Sequence, residues 1–317
     1  MRRIAVPRQS KFELQALIQA QRQAVLVVNT RARRGQRLYA QAKDLLADKG
    51  LRLTAAYPVR VPARLPEIVA EAVAEAGPLV IVGGGDGTIS SVVDFFACKD
   101  AVLGILPLGT ANSFARTLDI PLDLAGAVDV IASGKVADVD LGRINDDLFA
   151  NAAAIGISPA IGRSRPWRLK RCLGRAGYVV AAARAFWALE PFACRLVRED
   201  GSVVEIRDAL DVLIANGSYH GGVLVAEEAD VESRDLVIRV IRGRSRYALL
   251  RAWARIGAGR PLGPADLEVV RTRDLTLTAE PPQYVSIDGE VVTQTPINVG
   301  VARQALRFMA PQNFPDQ

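Results

Sequence analysis

From Ala24 to about Thr117, short apolar runs alternate with longer stretches whose apolar positions recur at helical spacing. Ala24 to Asn29, Leu51 to Tyr57, Pro78 to Val82 and Val102 to Leu106 predict buried strands. Gln36 to Lys49 predicts a helix, with Leu38, Ala42, Leu45 and Leu46 on one face and Gly50 as its C-cap. Pro62 to Ala76 predicts a second, with Leu65, Ile68, Val69, Ala72 and Val73 on its face and Gly77-Pro78 as its stop. Ile89 to Phe96 and Ser113 to Leu118 predict two more. Strands alternating with helices imply an α/β domain with a parallel sheet and ligands beyond the strand C-termini. Residues 1–23 predict an extension, either along the surface or as a single helix.

After about Gly134 the period changes to that of strands. Val136 to Arg143, Leu148 to Ile155, Phe192 to Arg198, Val203 to Arg207, Leu210 to Ala215 and Leu236 to Ile241 follow one another. Leu267 to Thr278, Tyr284 to Ile287, Ile297 to Val301 and Ala305 to Met309 continue the series. Asp200-Gly201 and Asp288-Gly289 are hairpin signals. Helical inserts are expected at Leu173 to Leu189 and Ser245 to Ile256. The expected division is an extension over 1–23, an α/β domain over 24–134 and an antiparallel β domain over 135–310. The last residues are allowed to return to the first domain.

The chain has 317 residues and a formal charge of +6, which points to an anionic partner: nucleic acid or an acidic membrane surface. Aromatic residues are hardly interleaved with the cations, so base stacking, and with it nucleic acid, is the weaker reading. Cys98, Cys172 and Cys194 are odd in number and scattered, which suits a reducing cytoplasm. The N-terminus lacks the apolar core of a signal peptide, and charges or prolines interrupt every apolar run before it reaches bilayer length. Membrane contact, if made, is expected to be peripheral.

Two predicted strands run into glycine-rich turns that open helices: Gly83-Gly84-Gly85-Asp86-Gly87-Thr88, and Pro107-Leu108-Gly109-Thr110-Ala111-Asn112. Backbone N–H groups freed by glycine at helix N-termini make anion cradles, and two cradles on neighbouring strands would surround a chain of phosphates. Thr88 stands where a dinucleotide fingerprint has its last glycine, and no Gly-Lys-Ser/Thr follows, so neither that motif nor a P-loop is present. Capping alone needs no such run of glycines. Asp86 would repel phosphate and suits a ribose hydroxyl or a metal-bound water instead. His220, the only histidine, is read as structural or exposed rather than catalytic. Arg163 to Arg175 is densely basic around Trp167 and Leu169, and Val179, Val180, Phe186 and Trp187 follow. A solvated face and a membrane-docking surface fit it equally.

Gly83 to Ile89 together with Leu103 to Ala115 closely resembles the diacylglycerol kinase catalytic family, which includes bacterial soluble lipid kinases and sphingosine kinases. Val27-Val28-Asn29, Val139-Asp140-Leu141-Gly142, Phe149 with Asn151, Ala215-Asn216-Gly217, Gly221-Gly222 and Ile287-Asp288-Gly289-Glu290 extend the match in the family's order, from about residue 24 to 310. The resemblance implies a two-domain lipid-kinase fold, with a nucleotide-binding α/β domain, a C-terminal β-sandwich and an active site in the cleft between them. It implies ATP and Mg²⁺ as cofactors, a lipid substrate, and a cytoplasmic protein that meets anionic membrane peripherally; a homodimer is left open.

Residue by residue, Asn29, Arg31, Gly83, Gly84, Gly85, Asp86, Gly87, Thr88, Thr110 and Asn112 are implied at the nucleotide. Asp288 is implied as the base that takes the acceptor proton, with Glu290 able to share that role. Asp140 corresponds to an aspartate linked to Mg²⁺ through water. Val225, Glu228 and Asp230 fall on a loop that holds a second, structural Mg²⁺ in bacterial relatives; a solvated acidic loop is favoured there, because Glu227-Glu228 and Ser233-Arg234 replace the usual residues. Asn29-Thr30-Arg31-Ala32-Arg33, Val59 and Ser113 also depart from the family pattern. Two rival readings remain: a soluble kinase of a small molecule such as NAD, and a catalytically weak lipid-binding or regulatory relative.

Overall fold

The computed structural model describes residues 9–31, 33–75, 77–163, 180–216, 219–220, 223–224, 235–258 and 260–315. The chain divides into two compact units, one of Met1–Leu141, Gly217–Glu232 and Ala302–Gln317, the other of Gly142–Asn216 and Ser233–Val301.

In the first unit, α1 (Lys11–Gln21) opens on a capping box. The Ser10 hydroxyl accepts from the Glu13 N–H, and the Glu13 carboxylate accepts from the Ser10 N–H. Leu14 and Ile18 of this helix are buried. There follow β1 (Gln23–Asn29), α2 (Arg33–Asp48), β2 (Arg52–Val59), a 3₁₀ turn at Pro62–Arg64, α3 (Leu65–Glu75), β3 (Leu79–Gly84), α4 (Asp86–Ser90), α5 (Val93–Phe96), β4 (Val102–Pro107), α6 (Ser113–Thr117), α7 (Leu124–Ser133) and β5 (Lys135–Ile144).

The strands lie in the order β2-β1-β3-β4, all parallel. β3 and β4 are buried along their whole length, which is why they read as unbroken apolar runs. Three details differ from the sequence expectation. β3 continues through Gly83 and Gly84, the run from Ile89 to Phe96 breaks into two short helices, and α7 was not foreseen. The buried residues of α7, Ala127, Val128, Val130, Ile131 and Ala132, occupy more than one face, so no single apolar stripe marks the helix.

The second unit carries β6 (Asp147–Phe149), β7 (Ala152–Ile155), α8 (Ile157–Arg163), α9 (residues 180–187), β8 (Phe192–Arg198) and β9 (Val203–Ala215). A small hairpin of β10 (Tyr219–His220) and β11 (Val223–Leu224) belongs to the first unit. The second unit resumes with β12 (Leu236–Arg242), α10 (Arg246–Gly257), β13 (Leu267–Thr272), β14 (Asp274–Glu280), β15 (Tyr284–Ile287) and β16 (Glu290–Gln294). β17 (Ile297–Ala310) belongs to the second unit up to Val301 and to the first beyond it, where it adds parallel to β4.

Pairing in the second unit is antiparallel throughout, in the order β16-β15-β7-β9-β8-β14-β17, with β12 between β9 and β13. The first half of β9 pairs with β8 and the second half with β7 and β12, so one strand serves both layers of a β-sandwich. Phe149, Phe192, Leu196, Ile214, Ile238 and Leu277 meet in the core between them. The runs expected as separate strands at 203–207 and 210–215, and at 297–301 and 305–309, are single long strands. Among the described residues no helix is long and apolar enough to cross a membrane.

Candidate functional site

The two glycine turns of the first unit are one object. The Leu108 N–H donates to the Gly84 carbonyl at 2.8 Å, tying the end of β4 to the end of β3. A Cβ on Gly109 would lie 2.5 Å from the Gly85 Cα, and a Cβ on Gly85 would lie 3.0 Å from the Gly109 Cα. Glycine is required at both positions because the two backbones touch. On Gly84 a Cβ would lie 2.4 Å from the Thr88 Cβ. Gly87 differs: it is exposed, and a Cβ there would meet nothing within 4 Å. Packing inside the protein therefore asks nothing of Gly87. It is the second residue of α4, ahead of Thr88, whose N–H donates to the Gly85 carbonyl at 2.8 Å.

The polar side chains around the turns mostly hold them in shape. Asn112 is buried and left-handed, with φ 48°. Its Oδ1 accepts from the Gly109 N–H at 2.9 Å, and its Nδ2 donates to the Pro107 and Gly109 carbonyls at 3.2 Å each. Asp86 Oδ1 accepts from the Phe114 N–H at 3.2 Å, which fastens the first turn to the start of α6. Asn29 Nδ2 donates to Thr88 Oγ1 at 3.1 Å, and Asn29 Oδ1 accepts from the Arg31 N–H at 3.3 Å. Thr110 and Arg31 are exposed.

Sequence reasoning missed Gly35, on α2. A Cβ there would lie 2.8 Å from the Asn29 carbonyl, so this glycine lets α2 close over the end of β1. Thr30, buried beside it, has a hydroxyl with no partner among the described residues. Val59, one of the departures from the family pattern, is buried, and its carbonyl accepts the Thr30 N–H at 2.8 Å.

The second unit presents Asp288 on a hairpin. Asp288 has φ 46° and Gly289 φ 93°, the signature of a type I′ turn. The Asp288 N–H donates to the Ala152 carbonyl at 3.0 Å, and its Oδ1 accepts from the Ala152 N–H at 3.2 Å. β7 thus holds both the backbone and the carboxylate of Asp288. Asp200, on the other Asp-Gly hairpin, bonds only within its turn, accepting from the Ser202 N–H at 2.8 Å. Glu290, two positions after Asp288 and last in the family motif, is exposed on β16.

Beside Ala152, the Asn151 carbonyl accepts the Asn216 N–H at 2.9 Å, and Asn216 Nδ2 donates to the Ala150 carbonyl at 3.1 Å. Asn151 Oδ1 is buried with no partner among the described residues.

Asp211, a carboxyl of this unit on β9, is perturbed. Burial pushes Asp211 up to about 7 from its ordinary 3.8, against the Ile157 N–H, which donates to it at 3.2 Å. A carboxyl with a raised folded-state pKa stabilises the native state fully below its unfolded value, and that stability is lost as pH rises through the folded value. The wild-type melting temperature is expected to fall between pH 4 and 7 relative to Asp211→Asn, by the equivalent of about 2–4 kcal/mol. Calorimetry across that window checks it; parallel curves for the two proteins would refute it.

The first unit's turns fit a phosphate chain: an open glycine at a helix start, backed by a ledge from which side chains are excluded. A directly ligated Mg²⁺ is not matched in the same way. Asp140 is buried and its Oδ1 accepts from the Gln304 N–H at 2.6 Å, where β17 turns through a residue of φ 46°. No group of three or more metal-binding side chains gathers among the described residues. Val225, Glu228 and Asp230, the basic stretch around Trp167 and the residue Ala32 lie outside the described residues.

Comparison with known proteins agrees with this architecture. Residues 23–144 match the diacylglycerol kinase catalytic domain, and residues 154–310 match the YegS C-terminal NAD kinase beta sandwich-like domain. A protein named diacylglycerol kinase from Mycobacterium tuberculosis is 33% identical over 242 residues, covering 74% of this chain and 77% of its own. One named "Probable lipid kinase YegS-like" from Klebsiella pneumoniae is 32% identical over 240 residues, covering 74% and 79%. A crystal structure of a diacylglycerol kinase from Bacillus anthracis shares the fold, with a TM-score of 0.72 at 22% identity over 93% of this chain and 98% of that one. The fold and these matches define an enzyme: a phosphotransferase with an alcohol group as acceptor. The chain belongs to the diacylglycerol kinase and YegS-like lipid kinase family.

Proposed function

We propose that the protein transfers the γ-phosphate of ATP to a hydroxyl of a diacylglycerol-like or sphingoid lipid at the surface of an anionic membrane. The reading is carried by the paired glycine turns with Gly87 left open, which supply backbone donors where a triphosphate needs them. Thr88, Thr110 and the loop from Asn29 to Arg31 line the nucleotide, while Asp86 and Asn112 hold the turns in place. Asp288 takes the proton of the acceptor hydroxyl as that oxygen attacks phosphorus, and Glu290 assists from the same hairpin. Mg²⁺ accompanies the phosphates, and no residue role is assigned through it.

Transfer of labelled γ-phosphate from ATP into a total lipid extract, with and without Mg²⁺, tests the proposal. A labelled lipid is expected. Label appearing in NAD instead, or in no acceptor at all, would overturn the lipid assignment.

A further inference from the structure

On the second unit α8, α9 and α10 make a helical layer with a small core of its own, in which Ile157, Ala185, Leu189, Leu249 and Ala252 meet. That core uses one face of α10. The rest of the helix surface carries Tyr247, Leu250 and Trp253, three apart in sequence and 58%, 45% and 40% exposed. Trp187 on α9 is 61% exposed. The Phe186 ring joins the two helices edge-on, 5.9 Å from the Trp187 centroid and 6.2 Å from that of Tyr247. The Arg246 guanidinium lies 5.3 Å from the centroid of the Trp187 ring and donates to the Trp187 carbonyl. Large apolar groups gathered on one exposed face of a folded unit mark an interaction surface.

The segments that form this face carry charge of one sign. From Leu236 to Ala265 the chain has Arg239, Arg242, Arg244, Arg246, Arg251, Arg255 and Arg260, with no lysine and no acidic residue. From Leu148 to Leu189, the stretch that supplies α8 and α9, every charged residue is again a cation. Arg184, Arg244, Arg251, Arg255 and Arg260 are exposed. Within this run Arg251 lies 3.3 Å from Asp266 and Arg242 lies 3.2 Å from Asp208.

We propose that the outer face of α10, together with Trp187, is the docking surface for an anionic lipid bilayer. The proposal rests on the lipid acceptor argued above. A helix of this length covers about 18 Å, and it lies flat with Leu250 and Trp253 at the acyl boundary and Tyr247 and Trp187 among the headgroups. The arginine forks match lipid phosphates in pairs of hydrogen bonds, which ammonium groups do not do. A face that combines exposed aromatic groups with neighbouring cations suits a fluid anionic surface.

The full chain is sedimented with vesicles of phosphatidylcholine alone and with vesicles containing about one third phosphatidylglycerol. Binding is expected only to the anionic vesicles, weakening as salt rises. Leu250→Ala/Trp253→Ala and Arg251→Gln/Arg255→Gln are each expected to lose at least about tenfold in vesicle affinity. Because these side chains are exposed, both variants should keep the wild-type melting temperature and should still phosphorylate a water-soluble short-chain diacylglycerol. Variants that bind anionic vesicles like the wild type overturn the surface. So does a wild-type dimer that the same variants dissociate while vesicle binding is unchanged, since the face would then belong to a second copy. A wild type that binds vesicles through this face but phosphorylates no lipid supports the surface and sinks the kinase assignment, so the two failures are told apart.

Discussion

Asp288→Asn is expected to cut phosphoryl transfer by about 10²–10⁴, the usual contribution of a general base, while leaving ATP affinity near wild type. The substitution tests the chemistry rather than the fold, for two reasons. Asn is among the residues best suited to a left-handed position before glycine, and Asp288 occupies one at φ 46°. An Asn Oδ1 also accepts from the Ala152 N–H as the carboxylate does at 3.2 Å. What it lacks is a basic oxygen. Glu290→Gln, on an exposed residue of the same hairpin, is expected to lose less. Single-turnover transfer and ATP binding on the same preparations check both, and full activity in Asp288→Asn would remove the proposed base.

The second large effect is expected at Gly87. Gly87→Val should weaken ATP binding by more than about tenfold, because a branched side chain would fill the open space at the start of α4 where the proposed phosphate chain would sit. Its melting temperature should drop only slightly, since a Cβ there meets no protein atom within 4 Å. Gly109→Ala should behave in the opposite way. Its Cβ would lie 2.5 Å from the Gly85 Cα and 2.6 Å from Asn112 Oδ1, so the variant loses stability by about 1–3 kcal/mol as well as binding. Calorimetry paired with ATP titration separates the two. Equal losses of stability in both variants would show that Gly87 serves packing after all.

Much of the architecture was legible because its signals are local. The parallel strands β1, β3 and β4 are buried on both faces and so appear as apolar runs, β3 ending at glycines. Asp288-Gly289 announces its hairpin through the φ > 0 that both residues adopt. Elements were misjudged where the local signal is ambiguous. The two halves of β9 differ in burial because they face different partners, so a single strand read as two. α7 is apolar on too many sides to show a period. For residues 1–23 the single helix is the alternative that holds, as α1, and only Leu14 and Ile18 carry its docking.

The sequence by itself determined the alternation of strand and helix, the two glycine turns and the Asp-Gly hairpin, since each is written in residues a few positions apart. Only the tertiary structure decided what each of those residues does. Gly85 and Gly109 are far apart in the chain, yet each is glycine because of the other's backbone. Asp86 and Asn112 spend hydrogen bonds on holding the turns, and Gly87 alone of the first turn is left open. The apolar residues of α10 likewise divide into Leu249 and Ala252, which close a core, and Tyr247, Leu250 and Trp253, which face outward. Burial, backbone approach and the spending of polar groups are properties of segments brought together by the fold, and no local pattern of side chains encodes them.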